Sequence, residues 1–143
     1  MVKYLLDKNV YRVYGTYRRK KNSAYLPFKF SKNLKFFKEF KIDLQKNSNE
    51  LLKLVVKIKP TFIIDFASIC MVNESWKNSE IYFKTNVLSK VKMVEYLSQS
   101  NFLKKYIYIS TPEIFGSSKK SINEENCVFN PSTPYATSKL SAE

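Results

Sequence analysis

The sequence predicts an α/β fold with a parallel sheet. Short apolar runs alternate with amphipathic stretches along the chain, and one run is apolar at nearly every position, as a sheet covered on both faces requires. Turn and stop residues fall between these segments. Residues 1–9 carry Val2, Leu5 and Leu6 at helical spacing and read as the last turns of a helix that begins before Met1. Val10 to Tyr17 reads as a strand running into the basic turn Arg18-Arg19-Lys20-Lys21, and residues 20–34, polar and holding Pro27, read as a loop. A second strand is expected from Phe36 to Ile42, ending at Asp43-Leu44. Asn47-Ser48-Asn49-Glu50 then makes a helix start, with the acid placed to close a capping box. Leu51, Val55 and Ile58 give that helix its apolar face, and Pro60 stops it. Phe62 to Ala67 is the nearly continuous apolar strand. A long helix is expected from about Ser79 to Ser100, with Phe83, Val87, Val91 and Val94 on its buried stripe. Tyr106-Ile107-Tyr108-Ile109 is a fourth strand, residues 116–134 are loop, and Pro134-Tyr135 opens a last helix.

Composition bounds the function. The chain has 143 residues, 44% hydrophobic and 26% charged, enough for one domain with a real core. No apolar run approaches a membrane span, and the first residues are not a signal peptide. Cys70 and Cys127 are too few for a disulfide framework, so a reducing, cytoplasmic setting is expected. The absence of histidine excludes Ser-His and Cys-His nucleophile pairs and the common zinc sites, and no metal site is expected. The net charge is +13, but 22 of the 25 basic residues are lysines spread from Lys3 to Lys139. That distribution reads as a solvated basic surface rather than a nucleic-acid footprint, and it attracts small anions such as nucleotides.

The chemistry concentrates after the fourth strand. Open α/β sheets bind ligands at the carboxyl ends of their strands, which is where Ser110-Thr111-Pro112-Glu113 falls. Farther on, Tyr135 and Lys139 stand four apart on one face of the last helix. An ammonium beside a phenol favours the phenolate by an energy on the order of 4 kcal/mol at about 4 Å and an effective dielectric of about 20, making the tyrosine a usable general base. The spacing alone is uninformative: Tyr4/Lys8, Tyr17/Lys21 and Tyr25/Lys29 share it and read as surface pairs. Only Tyr135/Lys139 combines it with a proline-led helix and an upstream Thr and Glu. Elsewhere, Glu74 and Trp76 read as loop residues, Cys70 as a small apolar filler behind a buried strand, and Asp65 as a strand-end acid, structural or cofactor-facing.

Tyr-Ile-Ser-Thr-Pro-Glu-Ile-Phe-Gly (108–116) and Pro-Ser-Thr-Pro-Tyr-Ala-Thr-Ser-Lys-Leu-Ser-Ala-Glu (131–143) resemble the extended short-chain dehydrogenases/reductases that act on nucleotide sugars, the NAD-dependent epimerases and dehydratases. Weaker matches precede them in the right order: Tyr14 to Arg19, Ile42-Asp43-Leu44, Asp65-Phe66-Ala67-Ser68 and Asn86. The resemblance implies a Rossmann-like doubly wound parallel sheet. It implies that Tyr135 removes a sugar hydroxyl proton as hydride leaves for the nicotinamide, that Lys139 binds the ribose and lowers the Tyr135 pKa, and that Thr111 binds the reacting oxygen. Glu113 is similar to the dehydratase glutamate that removes the proton alpha to the transient ketone, which favours a 4,6-dehydratase of the dTDP-glucose or GDP-mannose type over a 4-epimerase or reductase. Pro112 departs from the dTDP-glucose pattern, where an Asp serves as the acid. On the cofactor side the resemblance implicates Arg18, Arg19, Asp43, Leu44, Phe66, Ala67, Ser68 and Asn86 together with Tyr135 and Lys139. Because no acid follows Tyr14-Gly15-Thr16 and Arg18-Arg19 do, NADP is favoured over NAD.

The family's glycine-rich dinucleotide loop has no counterpart, since the chain holds two glycines, Gly15 and Gly116. The expectation is therefore an incomplete NAD(P)-binding domain over residues 1–143, lacking the first strand and its loop and ending before most of the sugar pocket. Such a fragment is expected to be inactive alone, with a nucleotide sugar as substrate and a second copy or a complementing N-terminal piece as partner. The competing reading is a basic nucleic-acid-binding module without catalysis.

Overall fold

The computed structural model describes residues 1–19, 25–119, 121–123, 125 and 127–143, so Lys20 and Lys21 of the basic run lie outside the described residues. The chain forms two compact units, Met1–Leu51 and Leu52–Glu143.

The first unit opens with helix α1 (Val2–Asp7), whose Leu6 is fully buried. Asn33 Nδ2 donates to the Leu6 carbonyl at 3.0 Å and Ser31 Oγ to Asp7 at 2.7 Å, tying this helix to the short turns at Pro27–Phe30 and Leu34–Phe36. Strands β1 (Val13–Tyr17) and β2 (Phe37–Lys41) pair in parallel, Val13 opposite Phe37 and Tyr17 opposite Lys41. The expected strands thus form, each a little shorter than its apolar run. Gly15 lets the sheet close on Phe37, since a Cβ there would sit 3.0 Å from that ring. Helix α2 (Ser48–Ile58) follows, starting where the cap was expected, with Asn47 Nδ2 donating to Glu50 at 3.2 Å. Beyond its end Lys59 adopts φ 50°, and Pro60 prevents continuation.

In the second unit β3 (Phe62–Asp65) pairs in parallel with β4 (Lys105–Tyr108), so that Asp65 lies opposite Tyr108. Between them run α3 (Val72–Lys77), α4 (Ser79–Phe83), one π turn (Lys84–Leu88) and α5 (Ser89–Ser98). The expected loop around Glu74 and Trp76 is therefore helical. Both side chains are exposed, and Glu74 meets Lys77 at 3.7 Å on the surface.

The long helix departs most from expectation. Of the expected stripe, Val91 and Val94 are 55% and 48% exposed and Phe83 and Val87 half-buried, while Tyr82, Thr85, Asn86, Ser89, Lys90, Met93 and Leu97 are buried. The buried face lies one residue, about 100° of helix rotation, from the apolar one. It is set by polar bonds: Asn86 and Lys90 reach carbonyls of the segment after β3, and these anchors outweigh the valines. A short turn (Pro112–Phe115) and α6 (Pro134–Leu140) complete the unit, with Ile114 and Ala136 in its core.

Candidate active site

The site grows from the carboxyl ends of β3 and β4. Past β4 the chain turns sharply. Thr111 caps the turn by accepting from the Glu113 amide at 3.4 Å, and Pro112 occupies the first helical position, where no amide is needed. Gly116 ends the turn at φ 66°, where a Cβ would run into the Asn130 carbonyl. The Asn130 amide donates to the Ile114 carbonyl at 2.9 Å, and Phe115 stacks on Phe129 with centroids 5.6 Å apart, folding the following loop back. Thr111 and Glu113 are thereby held half-buried at the strand end.

Helix α6 starts as its sequence dictates, with Thr133 accepting from the Ala136 amide at 3.1 Å ahead of Pro134. It buries Tyr135 and Lys139, which are 7% and 2% exposed. The Tyr135 phenol meets Thr111 and lies within the field of Glu113 and Cys70, and Tyr82 packs edge-on against it at 6.4 Å. Hydroxyl, carboxylate and phenol thus come together where α6 packs on the turn after β4. Burial raises the Tyr135 pKa above 10.0, the hydrogen bond with Thr111 pulls it down, and the charges of Glu113 and Cys70 push it further up.

The ammonium of Lys139 does not take up the expected pairing with the phenol. Lys139 Nζ donates to the Ile109 carbonyl at 2.5 Å and sits 4.1 Å above the Tyr108 ring, so its charge is directed to the end of β4 instead of toward Tyr135. Its pKa is lowered, first by burial and then by Lys90, against the pull of Asp65, Glu143 and Cys70. The Tyr108 hydroxyl is buried with no hydrogen-bond partner among the described residues. Cys70 is exposed, not an apolar filler, because the chain leaves β3 toward the surface there.

Sequence reasoning missed the polar cluster beneath. Lys90 pairs with Asp65 at 2.6 Å, both side chains at most 10% exposed, and donates to the Ala67 carbonyl at 2.7 Å. Tyr106 also donates to Asp65, at 2.5 Å. The Asp65 acid at a strand end was a signal, but Lys90 was hidden among so many lysines. Asn86, 0% exposed, accepts from the Ile69 amide at 2.9 Å and donates to the Ile69 carbonyl at 3.1 Å and to Ser138 at 3.0 Å. Ser138 donates in turn to the Tyr135 carbonyl at 2.7 Å, so Asn86 brackets the post-β3 segment to the helix bearing Tyr135.

Of the residues implicated on the cofactor side, Phe66 is exposed and Ala67 and Ser68 half-buried at the end of β3, and Asn86 is the buried bracket. The rest belong to the first unit. Arg18 and Arg19 are exposed just past β1, Leu44 is half-buried, and Asp43 accepts from the Gln45 amide at 3.0 Å in a turn after β2. No helix among the described residues is long and apolar enough to cross a membrane.

The entire chain, residues 1–143, matches the GDP-mannose 4,6 dehydratase family. The chain belongs to that family. It is an extended short-chain dehydrogenase/reductase of the epimerase/dehydratase kind, with the Rossmann-like α/β architecture of its neighbours. A curated family relative, the dTDP-D-glucose 4,6-dehydratase of Dictyostelium discoideum, is 33% identical over 123 residues, covering 78% of this chain. The UDP-Glc/GlcNAc 4-epimerase from Campylobacter jejuni superposes with a TM-score of 0.80 at 24% identity, over 99% of this chain and 42% of that one. The UDP-glucuronic acid 4-epimerase from Bacillus cereus, in complex with UDP-glucuronic acid and NAD, gives 0.75 at 25% identity, over 99% and 45%. This family member spans only 27% of the length of its Dictyostelium relative.

Proposed function

We propose that the chain is a fragment of a nucleotide-sugar 4,6-dehydratase, carrying the acid–base residues of a reaction that runs through hydride transfer. The observation that carries this reading is the packing of α6, with Tyr135 buried on it, against the turn that holds Thr111 and Glu113 at the end of β4. Thr111 and Tyr135 bind the reacting sugar hydroxyl, and Tyr135 takes its proton as the phenolate, a form that its raised pKa keeps scarce in the chain alone. Glu113, held on its turn by Thr111 and Pro112, removes the proton next to the carbonyl that forms. Pro112 has no proton to give, so the leaving hydroxyl is protonated by Glu113 or by water. A nicotinamide cofactor, which Tyr135, Lys139 and residues 66–68 would hold, would supply hydride acceptance and return.

The second unit fits the reactive end of such a cofactor. Tyr135 and Lys139 face the strand ends, and the buried Tyr108 hydroxyl, without a partner among the described residues, leaves polar capacity unused there. The diphosphate end finds no glycine cradle, because Gly15 closes on Phe37 and Gly116 on Asn130. Residues 1–143 on their own therefore bind dinucleotide weakly and turn over little. Arg18 and Arg19, exposed after a strand with no acid at its end, favour NADP over NAD.

The test has two stages. Calorimetric titration of the chain with NAD and NADP gives no saturable binding, and micromolar affinity overturns the proposed inactivity. A fusion placing a strand, glycine loop and helix from a family relative ahead of Met1 is then given dTDP-glucose, GDP-mannose and UDP-glucose, and the products are weighed by mass spectrometry. Loss of water from the sugar supports the dehydratase, whereas isomerisation at unchanged mass supports a 4-epimerase, the reading favoured by the Bacillus cereus neighbour.

A further inference from the structure

We propose that Lys90 and Asp65 are positioning residues of this site, a buried pair that fixes the main chain at the end of β3 and, through Ile109, the ammonium of Lys139. The inference rests on the reading of Lys139 as part of the catalytic set.

Backbone carbonyls at the carboxyl end of a parallel sheet run out of ladder partners, and a buried one needs a donor. Here two ammonium groups serve adjacent strands. Lys90 Nζ bonds the Asp65 carboxylate at 2.6 Å and the Ala67 carbonyl at 2.7 Å, while the Ala67 amide returns to Asp65 Oδ1 at 2.9 Å. Residues 65–67 are thus closed into one conformation. The Asp65 carbonyl accepts from the Ile109 amide at 3.1 Å, and the Ile109 carbonyl accepts from Lys139 Nζ at 2.5 Å. A continuous chain of bonds therefore runs from α5 through the ends of β3 and β4 to α6. Tyr106 braces Asp65 from β4, and Tyr108, opposite Asp65 in register, lies under the Lys139 ammonium.

The electrostatics follow the same geometry. Lys139 is faced by Asp65 of β3, Cys70 of the following segment, Lys90 of α5, the Tyr108 ring of β4 and Glu143 beyond α6. Burial and Lys90 lower its pKa, whereas Asp65, Glu143 and Cys70 raise it. A lysine that merely filled space would not govern the ionisation of another. Lys90 is set to do so, and a charge-preserving replacement is expected to keep the effect.

The test is an NMR titration of the full chain isotope-labelled at lysine Cε, with signals assigned through Lys139→Met and Lys90→Met. In the unmodified chain Lys139 titrates below ordinary lysines. Lys90→Met moves it upward, since a repelling charge is gone and Asp65 is freed, while Lys90→Arg leaves it low. Amide hydrogen exchange at Ala67 and Ile109 accelerates in Lys90→Met and not in Lys90→Arg. A folded Lys90→Met chain whose Lys139 titrates as before overturns the proposal. If that variant does not fold, Asp65→Asn combined with Lys90→Met removes both charges without leaving one unpaired. In that variant amide exchange at Ala67 and Ile109 is faster than in the unmodified chain, since the bond from Lys90 to the Ala67 carbonyl is gone, and unchanged exchange overturns the proposal. No cofactor or substrate is present, so a failure here leaves the dehydratase reading standing, and a failure of turnover leaves the titration result standing.

Discussion

Replacing Asn86 with alanine should cost this chain a large part of its stability. The carboxamide makes three hydrogen bonds from a fully buried position, two with Ile69 and one with Ser138. At about 1 kcal/mol for each bond, the loss is about 3 kcal/mol, against a total of about 5–15 kcal/mol for a typical domain. The gain in helix propensity from alanine is a few tenths of a kcal/mol and does not offset it. The unit holding Asn86 is largely helical outside β3 and β4, so far-ultraviolet circular dichroism follows its unfolding in urea. With a slope of about 2 kcal/mol per molar, the midpoint falls by about 1.5 M. A loss under about 1 kcal/mol would refute the reasoning, because the Ile69 groups would then be satisfied without the bracket. The same substitution loosens the hold on Tyr135, because Ser138 links Asn86 to its carbonyl.

Three further outcomes follow from the same structure. Tyr108→Phe removes a buried hydroxyl that has no partner among the described residues while keeping the ring beneath Lys139, so it stabilises the chain by about 1–2 kcal/mol in urea unfolding. A loss of stability there would reveal a bond the hydroxyl makes. Gly116→Ala forces a side chain onto φ 66° and against Asn130, costing about 2 kcal/mol or more and releasing the Phe115–Phe129 stack, which proteolysis within residues 117–130 would register. Stability also falls as pH rises through about 10. The pKa values of Tyr82, Tyr106, Tyr108 and Tyr135 are all raised above 10.0 by burial, so these groups stay neutral in the fold while the unfolded chain ionises. Lys139, lowered from 10.5, pulls the other way just below that value, one group against four, and urea midpoints on either side of about pH 10 check the net sign.

The sequence made legible what local chemistry decides. The capping acid at Glu50, the Thr133-Pro134 helix start and the apolar run from Phe62 fold as their residues dictate. The meeting of Thr111, Glu113 and Tyr135 after β4 was legible for the same reason, since strand end, turn and helix start each carry a local signal. Three features were not. The long helix turns its valines outward because Asn86 and Lys90 are drawn to carbonyls far away in sequence, a tertiary demand that periodicity does not encode. Tyr135 and Lys139 share a helix face as their spacing requires, yet the ammonium finds a nearer anchor in Ile109 and the Tyr108 ring. Helix α3 is short and half polar, with no apolar stripe to mark it.

The chemistry of the site turns on a phenol at residue 135 that answers to the hydroxyl and the carboxylate beside it. Titration of the tyrosine Cζ signals by NMR, on the chain alone, measures this directly. The Tyr135 signal should titrate above an ordinary tyrosine, move higher still in Thr111→Val, where the hydrogen bond favouring its ionisation is lost, and move lower in Glu113→Gln, where a repelling charge is removed. A Tyr135 that titrates as a free tyrosine and ignores both substitutions contradicts the account.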